Sequence, residues 1–341
     1  MKKYMFIFGN NRNDLIDIMF NDLKEYDSVI FETAEKITTS NSSVIKRFQH
    51  IYSSYKLNKI IKMPFSYRFC KISEFVFDKN DEYYVIVMNQ AFWTYDYFVY
   101  NELAKKNNVH LSCLLIDSYG IVGPVGDALR RQVEKVKWDY ILTYDKSDSE
   151  KYGFTYINEY YYSNIGDKVS LNKYPEHDVF FLGRLKNGRE QMTLDLYNRL
   201  MSNGVNSDFW IMMTANNEKM IQNGTLVIPK QITTYEKEMQ YIDCLELLQN
   251  SKCIIEIVQE NQLAQTLRYF EAVIYNKKLL TNNPNVVSLK YYDPRYIQYF
   301  KDVKDIDVNW IKEDIEVNYN YQGDFSPKYL LKMIDLLYEN G

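Results

Sequence analysis

What most constrains this chain is a pattern that occurs twice. Short apolar runs alternate with stretches of helical periodicity, once over residues 4–143 and again over residues 179–281, and a polar, tyrosine-rich stretch at 158–178 separates the two series. Strands are expected at 4–8, 28–31, 83–88, 111–116 and 140–143, with helices at 14–23, 44–57 and 97–107 between them. The second series places strands at 179–183, 209–213, 253–257 and 278–281, and helices at 191–203, 235–249 and 265–276. Short hydrophobic strands that alternate with helices indicate parallel sheets covered on both faces. The expected fold is therefore α/β, with two Rossmann-like doubly wound domains. A length of 341 residues accommodates both. The expected boundaries are 1–173 for the first domain, 174–326 for the second, and 327–341 for a final helix that packs back toward the first. Ligands in such sheets bind beyond the carboxyl ends of the strands, and domain interfaces are preferred sites. That reasoning puts Gly9, Asn10, Asn11, Asn89, Gln90, Asp117 and Ser118 at the working edge of the first half.

Composition removes several function classes. No window approaches the roughly 18 uninterrupted apolar residues of a membrane span. The opening MKKYMFIFGNNRND has too short an apolar run for a signal peptide and reads as a buried first strand, so a cytoplasmic location is expected, with at most peripheral membrane association. A net charge of −4 argues against a general nucleic-acid binder, whose surface must neutralise phosphates. Cys70, Cys113, Cys244 and Cys253 lie far apart without CxxC spacing, and His50, His110 and His177 stand away from them. Buried free thiols are expected there rather than a zinc site. The 32 tyrosines suit contact with sugar faces, although coding bias toward Asn, Lys, Ile and Tyr would enrich them equally.

The richest chemistry lies in IIEIVQENQLAQTLRYFEAVIYNKKLLTNN, residues 254–283. A buried strand runs through a loop into a helix and then into another strand. Leu267, Phe270 and Ile274 share one helix face, suited to packing on a sheet. Arg268, Glu271 and Tyr275 share another. The free amides and positive dipole end of such a helix favour an anion such as a diphosphate. Arg268 adds a forked charge suited to phosphate oxygens, and Glu271 one turn on could accept hydrogen bonds from ribose hydroxyls. A plain helix-surface ion pair between Arg268 and Glu271 fits the same spacing.

This segment resembles the donor-side element of GT-B glycosyltransferases, in which a helix carries Glu-Ala ahead of an apolar strand. It is more similar still to a bacterial group that builds capsular and lipopolysaccharide-type surface glycans. That group's pattern runs Gln-x-Gly-Leu-Thr-x-Arg-x-x-Glu-Ala, then Lys-Lys-Leu-Ile-Thr-x-Asn. Here it reads Gln262-Leu263-Ala264-Gln265-Thr266-Leu267-Arg268, then Glu271-Ala272, then Lys277-Lys278-Leu279-Leu280-Thr281-Asn282-Asn283. Ala264 replaces the glycine and Gln265 the leucine, and Leu263 stands where the familiar E-x7-E pattern has its first glutamate. Val179-Phe180-Phe181-Leu182-Gly183-Arg184, with Lys186 and Arg189 behind it, resembles the opening strand of the second GT-B domain. Trp138-Asp139-Tyr140 and Tyr144-Asp145 extend the resemblance, which covers about residues 138–300.

The resemblance implies a GT-B enzyme that moves a hexose from a nucleoside-diphosphate sugar to a saccharide or lipid-linked saccharide acceptor in surface-glycan assembly. The donor would sit on Arg184, Arg189, Gln265, Thr266, Arg268 and Glu271, with no cofactor and no obligatory metal. Arg184 and Arg189 read equally as solvated loop charges. Inverting members place a base on the first domain. Asp117, where a strand should end in LLIDSYG, is the first choice over Asp14 and Asp96, and a turn or cap aspartate is its bland alternative. His110 reads as structural. Asp305-Ile306-Asp307 copies the DxD spacing of a metal site but lies too near the C-terminus to serve as one. Sialyl or pyruvyl transfer on the same scaffold, or a non-catalytic partner subunit, are the alternatives.

Overall fold

The computed structural model describes residues 1–10, 14–37, 47, 51, 66–120, 124–157, 162–185, 188–237, 239–258 and 266–340. The chain divides into two compact units: Met1–Arg12, Asp22–Tyr161 and Pro327–Gly341 form one, and Asn13–Asn21 with Tyr162–Ser326 form the other. A short piece near the N-terminus thus groups with the second unit. The helix expected over 44–57 falls largely outside the described residues.

The first unit is built on a six-stranded sheet in the order β2-β1-β3-β4-β5-β6. Its strands are β1 (Lys2–Phe8), β2 (Val29–Thr33), β3 (Glu82–Met88), β4 (Val109–Leu115), β5 (Tyr140–Thr143) and β6 (Thr155–Tyr156). Every pairing is parallel. The continuous apolar runs become strands with almost no exposed surface, from Tyr4 to Phe8 and from Tyr83 to Met88. The sheet order reverses between β1 and β3. Gly9 follows β1 there, and a Cβ on it would meet the Gln90 carbonyl oxygen at 2.8 Å, so only glycine fits. The last helix of the chain belongs to this unit: Tyr4 donates to Asp335 at 2.5 Å, Tyr140 to the Leu337 carbonyl at 2.7 Å, and Tyr338 packs on Tyr84 and His110.

The second unit carries another six-stranded parallel sheet, in the order β12-β11-β10-β7-β8-β9. Its strands are β7 (His177–Arg184), β8 (Ser207–Met212), β9 (Thr233–Tyr235), β10 (Ser251–Glu256), β11 (Lys278–Thr281) and β12 (Ile297–Tyr299). Read from β9, the order is that of a dinucleotide-binding sheet, with its reversal between β7 and β10. Numbering helices along the chain, α1 (Asp14–Met19) belongs here. The first unit holds α2 (Tyr97–Leu103), α3 (Pro124–Lys135) and α4 (Lys146–Tyr152). Back in the second unit are α5 (Glu190–Ser202), α6 (Ala215–Gln222), α7 (Tyr241–Gln249), α8 (Leu267–Ile274) and α9 (Val308–Lys312); α10 (Lys328–Asn340) closes the first.

Four helices are shorter than the periodicity suggests: those expected over 14–23 and 97–107 end at Met19 and Leu103, and two more start or stop inside their expected bounds. The helix expected over 235–249 begins only at Tyr241, because Thr233–Tyr235 extend to pair with β8. The helix expected over 265–276 begins after the cap Thr266 and ends when Asn276 turns left-handed, at φ 51°.

Candidate functional site

The second sheet points the carboxyl ends of β7, β8 and β9 at a pocket of about 250 Å³. Arg184 closes β7, Met212 closes β8 and Tyr235 closes β9. Helix α7 contributes Tyr241 and Cys244, α8 contributes Leu267 and Arg268, and α1 contributes Asp14 and Leu15. The position follows from the fold, since a parallel sheet gathers the residues that end its strands onto one edge.

The N-terminus of α8 is organised by Thr266, which the sequence reading singled out, and by Glu256, which it missed. Thr266 caps the helix, its hydroxyl accepting the Arg268 N–H at 3.2 Å. The Thr266 amide and hydroxyl both donate to Glu256 Oε1, at 3.0 and 2.6 Å, while Thr281 donates to Oε2 at 2.5 Å. Glu256 ends β10 and is 2% exposed. Burial pushes its carboxyl up, and the threonine hydrogen bonds oppose that. The positive end of α8, where a diphosphate was expected, therefore already faces an internal carboxylate. A lone carboxylate inside an apolar strand run is the signal that could have found it.

Arg268 and Glu271 form the second feature. Glu271 has no exposed surface, and both its oxygens are engaged: one accepts from Arg268 Nη1, the other from the Tyr241 hydroxyl. Tyr241 in turn bonds the Tyr162 hydroxyl at 2.5 Å. The pair is thus buried rather than on the helix surface. A ribose hydroxyl could reach Glu271 only by displacing Tyr241 or Arg268. Burial pushes the Glu271 carboxyl up, and the Arg268 guanidinium pulls against it; the carboxylate in turn holds Arg268 in its charged form. Burial also raises the Tyr241 and Tyr162 phenols well above their usual value.

The remaining expected donor residues divide. Arg184 lines the pocket, its Nε donating to Met212 Sδ at 3.0 Å. Arg189 does not line it: Nη1 donates to the Ile257 carbonyl at 2.9 Å and Nη2 to the Arg184 carbonyl at 3.1 Å. It laces the segment after β7 to the chain leaving β10, and burial pulls its guanidinium down from its ordinary value. Gln265 and Lys186 lie outside the described residues.

Among the carboxylates considered as a base, Asp117 follows β4 in the first unit and accepts from Asn89 Nδ2 at 2.7 Å, while Asn89 Oδ1 takes the Ile116 amide at 3.1 Å. Asp96 caps α2 and pairs with Arg131 at 2.7 Å while 6% exposed, a structural role. Asp14 lines the second unit's pocket and accepts the Ile242 amide at 3.0 Å, capping α7, whose own N-cap Gln240 makes no side-chain cap. His110 stacks on Tyr84 and pairs with Glu82. Asp305 completes the capping box of a 3-10 turn by accepting the Asp302 amide, and Asp307 caps α9, which accounts for their spacing. The four cysteines are buried thiols; Cys244 lines the pocket, but burial pushes its thiol up to about 12, which disfavours the thiolate a nucleophile needs. Among the described residues no helix is long and apolar enough to cross a membrane.

No family model matches the sequence, and no curated protein matches it either. Solved structures do. The chain is similar to an alpha-glucosyltransferase in complex with UDP and a 13-mer DNA containing a HMU base, at 11% identity and a TM-score of 0.55, over 98% of this chain and 99% of that one. It is similar to the UDP-GlcNAc 2-epimerase from Neisseria meningitidis bound to UDP-GlcNAc, at 11% identity and a TM-score of 0.50, over the whole of both chains. A match to TarM, at 12% identity and a TM-score of 0.47, takes in 75% of this chain and spans 54% of that protein. The full-length likenesses establish the GT-B fold, two Rossmann-like units in one chain.

Proposed function

We propose that this chain is a metal-independent glycosyltransferase that moves a hexose from a nucleoside-diphosphate sugar to a saccharide acceptor in bacterial surface-glycan assembly. The observation that carries this reading is the meeting of Arg184 and Arg268 on one pocket at the carboxyl edge of the second sheet. Two guanidinium groups beside an aromatic wall suit a diphosphate joined to a nucleoside. They would stabilise the charge that collects on the leaving diphosphate as the glycosidic bond breaks. Arg189 supports them by holding the backbone of Arg184. Thr266 and Glu256 set the start of α8, and with it the position of Arg268. Asp117, held by Asn89, takes the proton of the attacking acceptor hydroxyl. One structural neighbour carries DNA, but the net charge of −4 favours a neutral acceptor over a polyanion here. A cytoplasmic site of action belongs to the same proposal.

A second reading is interconversion of a sugar nucleotide without any acceptor, favoured by the whole-chain likeness to a UDP-GlcNAc 2-epimerase. One experiment separates the readings: incubation with UDP-, GDP-, dTDP- and CMP-sugars, followed by chromatography of nucleotide and sugar products. Slow release of a nucleoside diphosphate supports transfer. An epimeric sugar supports the second reading, release of CMP supports sialyl transfer, and no binding or turnover of any donor refutes both enzymatic readings.

A further inference from the structure

Behind the pocket wall formed in part by Tyr241 and Arg268, a buried chain of polar groups continues through Glu271 and Tyr162. Tyr241 has one hydroxyl proton, and it goes to the Glu271 carboxylate. Its bond to Tyr162 must then run the other way, with Tyr162 donating. The order is therefore Tyr162 to Tyr241 to Glu271, with Arg268 donating to the carboxylate from the opposite side. Tyr162 and Glu271 have no exposed surface, and Tyr162 is stacked flat against Phe270 of α8, 6.2 Å between ring centres. Arg268 is also largely enclosed, with a 14% exposed side chain, yet it lines the pocket. Among the described residues, its Nε and Nη2 have no protein acceptor.

We propose that Glu271, backed by Tyr241 and Tyr162, is a positioning residue that grips the Arg268 guanidinium at one nitrogen so that its remaining N–H groups face the pocket in a fixed plane, ready for the phosphates of a nucleoside diphosphate. A guanidinium on a free stem samples many rotamers, and binding must then order it. One pinned from behind by a buried carboxylate presents its fork already oriented. Because Glu271 neutralises Arg268, the pair attracts phosphate through the direction of its hydrogen bonds, while Arg184 supplies the site's positive charge. This inference rests on the donor site proposed above and assigns Glu271 to Arg268 rather than to ribose.

The test uses two variants that conserve charge, Tyr162→Phe and Glu271→Asp, in the full chain. Isothermal titration with pyrophosphate, UDP and uridine gives the readout. Each variant should weaken pyrophosphate and UDP about three- to tenfold, the loss of one well-aimed charge-assisted contact, and leave uridine within about twofold. A purely structural role would weaken all three ligands together or none. Circular dichroism and melting confirm that each variant is folded. Should Glu271→Asp fail to fold, Tyr162→Phe alone decides, since it removes one hydroxyl and no charge. Unchanged pyrophosphate affinity in a folded variant overturns the proposal. So does a parallel loss for uridine, which marks a purely structural role, whereas weaker uridine with unchanged pyrophosphate would mean that Glu271 meets the ribose. Wild-type protein that binds pyrophosphate but no nucleotide refutes the transferase reading alone, and protein that binds neither refutes both.

Discussion

Replacing Arg268 by Met keeps most of the aliphatic volume and removes the charge, so it isolates what the buried pair contributes. Glu271 has no exposed surface, and its charged partner is the Arg268 guanidinium. Losing one member of a buried pair strands the other, at a cost of about 3–5 kcal/mol. For a unit of this size that is a fall of roughly 10 °C in melting temperature. The loss should depend on pH. Burial already raises the Glu271 carboxyl above its ordinary value of 4.5, and without Arg268 nothing of opposite charge offsets that burial. A carboxyl raised by folding favours the folded state at low pH. Stability then declines as the pH climbs above the unfolded value, and levels off above the folded one. The deficit of Arg268→Met should therefore be small at pH 4.5 and full at pH 7.5, with other titrating groups cancelling in the difference. Adding Glu271→Gln should recover most of it, since a neutral amide has no charge to strand and still accepts from Tyr241. The assay is urea denaturation of wild type, both single variants and the double variant at pH 4.5, 6 and 7.5. A deficit equal at all three pH values, or a double variant no better than Arg268→Met, would refute the buried-pair argument.

Asp14→Ala removes the carboxylate that caps α7 through the Ile242 amide, so about 0.5–2 kcal/mol of stability should go, measured by denaturant unfolding. Turnover should fall far less than in the Asp117 variant; an equal fall would make Asp14 the base. Asp117→Asn should lower kcat by about a hundredfold or more with donor affinity retained, as expected for loss of a general base. A kcat within threefold of wild type would return Asp117 to a loop role.

Much of the fold was legible because burial leaves a local trace. A strand covered on both faces has to be apolar throughout, and the runs at 4–8 and 83–88 could be read without knowing what covers them. Arg184 was legible at the pocket for the same reason, since the residue that ends a parallel strand must sit on the ligand-facing edge. Periodicity also put Arg268 and Glu271 together, one turn apart on α8. It was silent on whether that face met water or protein, because 3.6-residue spacing records only which residues are neighbours on one helix. Only tertiary structure brought Tyr241 against Glu271 and Tyr162 against Tyr241, across separations of 30 and 79 residues, and so turned a surface ion pair into a buried one. The cap that Asp14 supplies to α7 bridges 228 residues, and the grouping of residues 13–21 with the second unit has no local signature either. The strand end of Arg184 was decided by residues close in sequence; the strand end of Tyr235, which periodicity assigned to a helix, and the partners of Glu271, Glu256 and Asp14 were decided by topology, which sets what lies across from each element and each buried polar group.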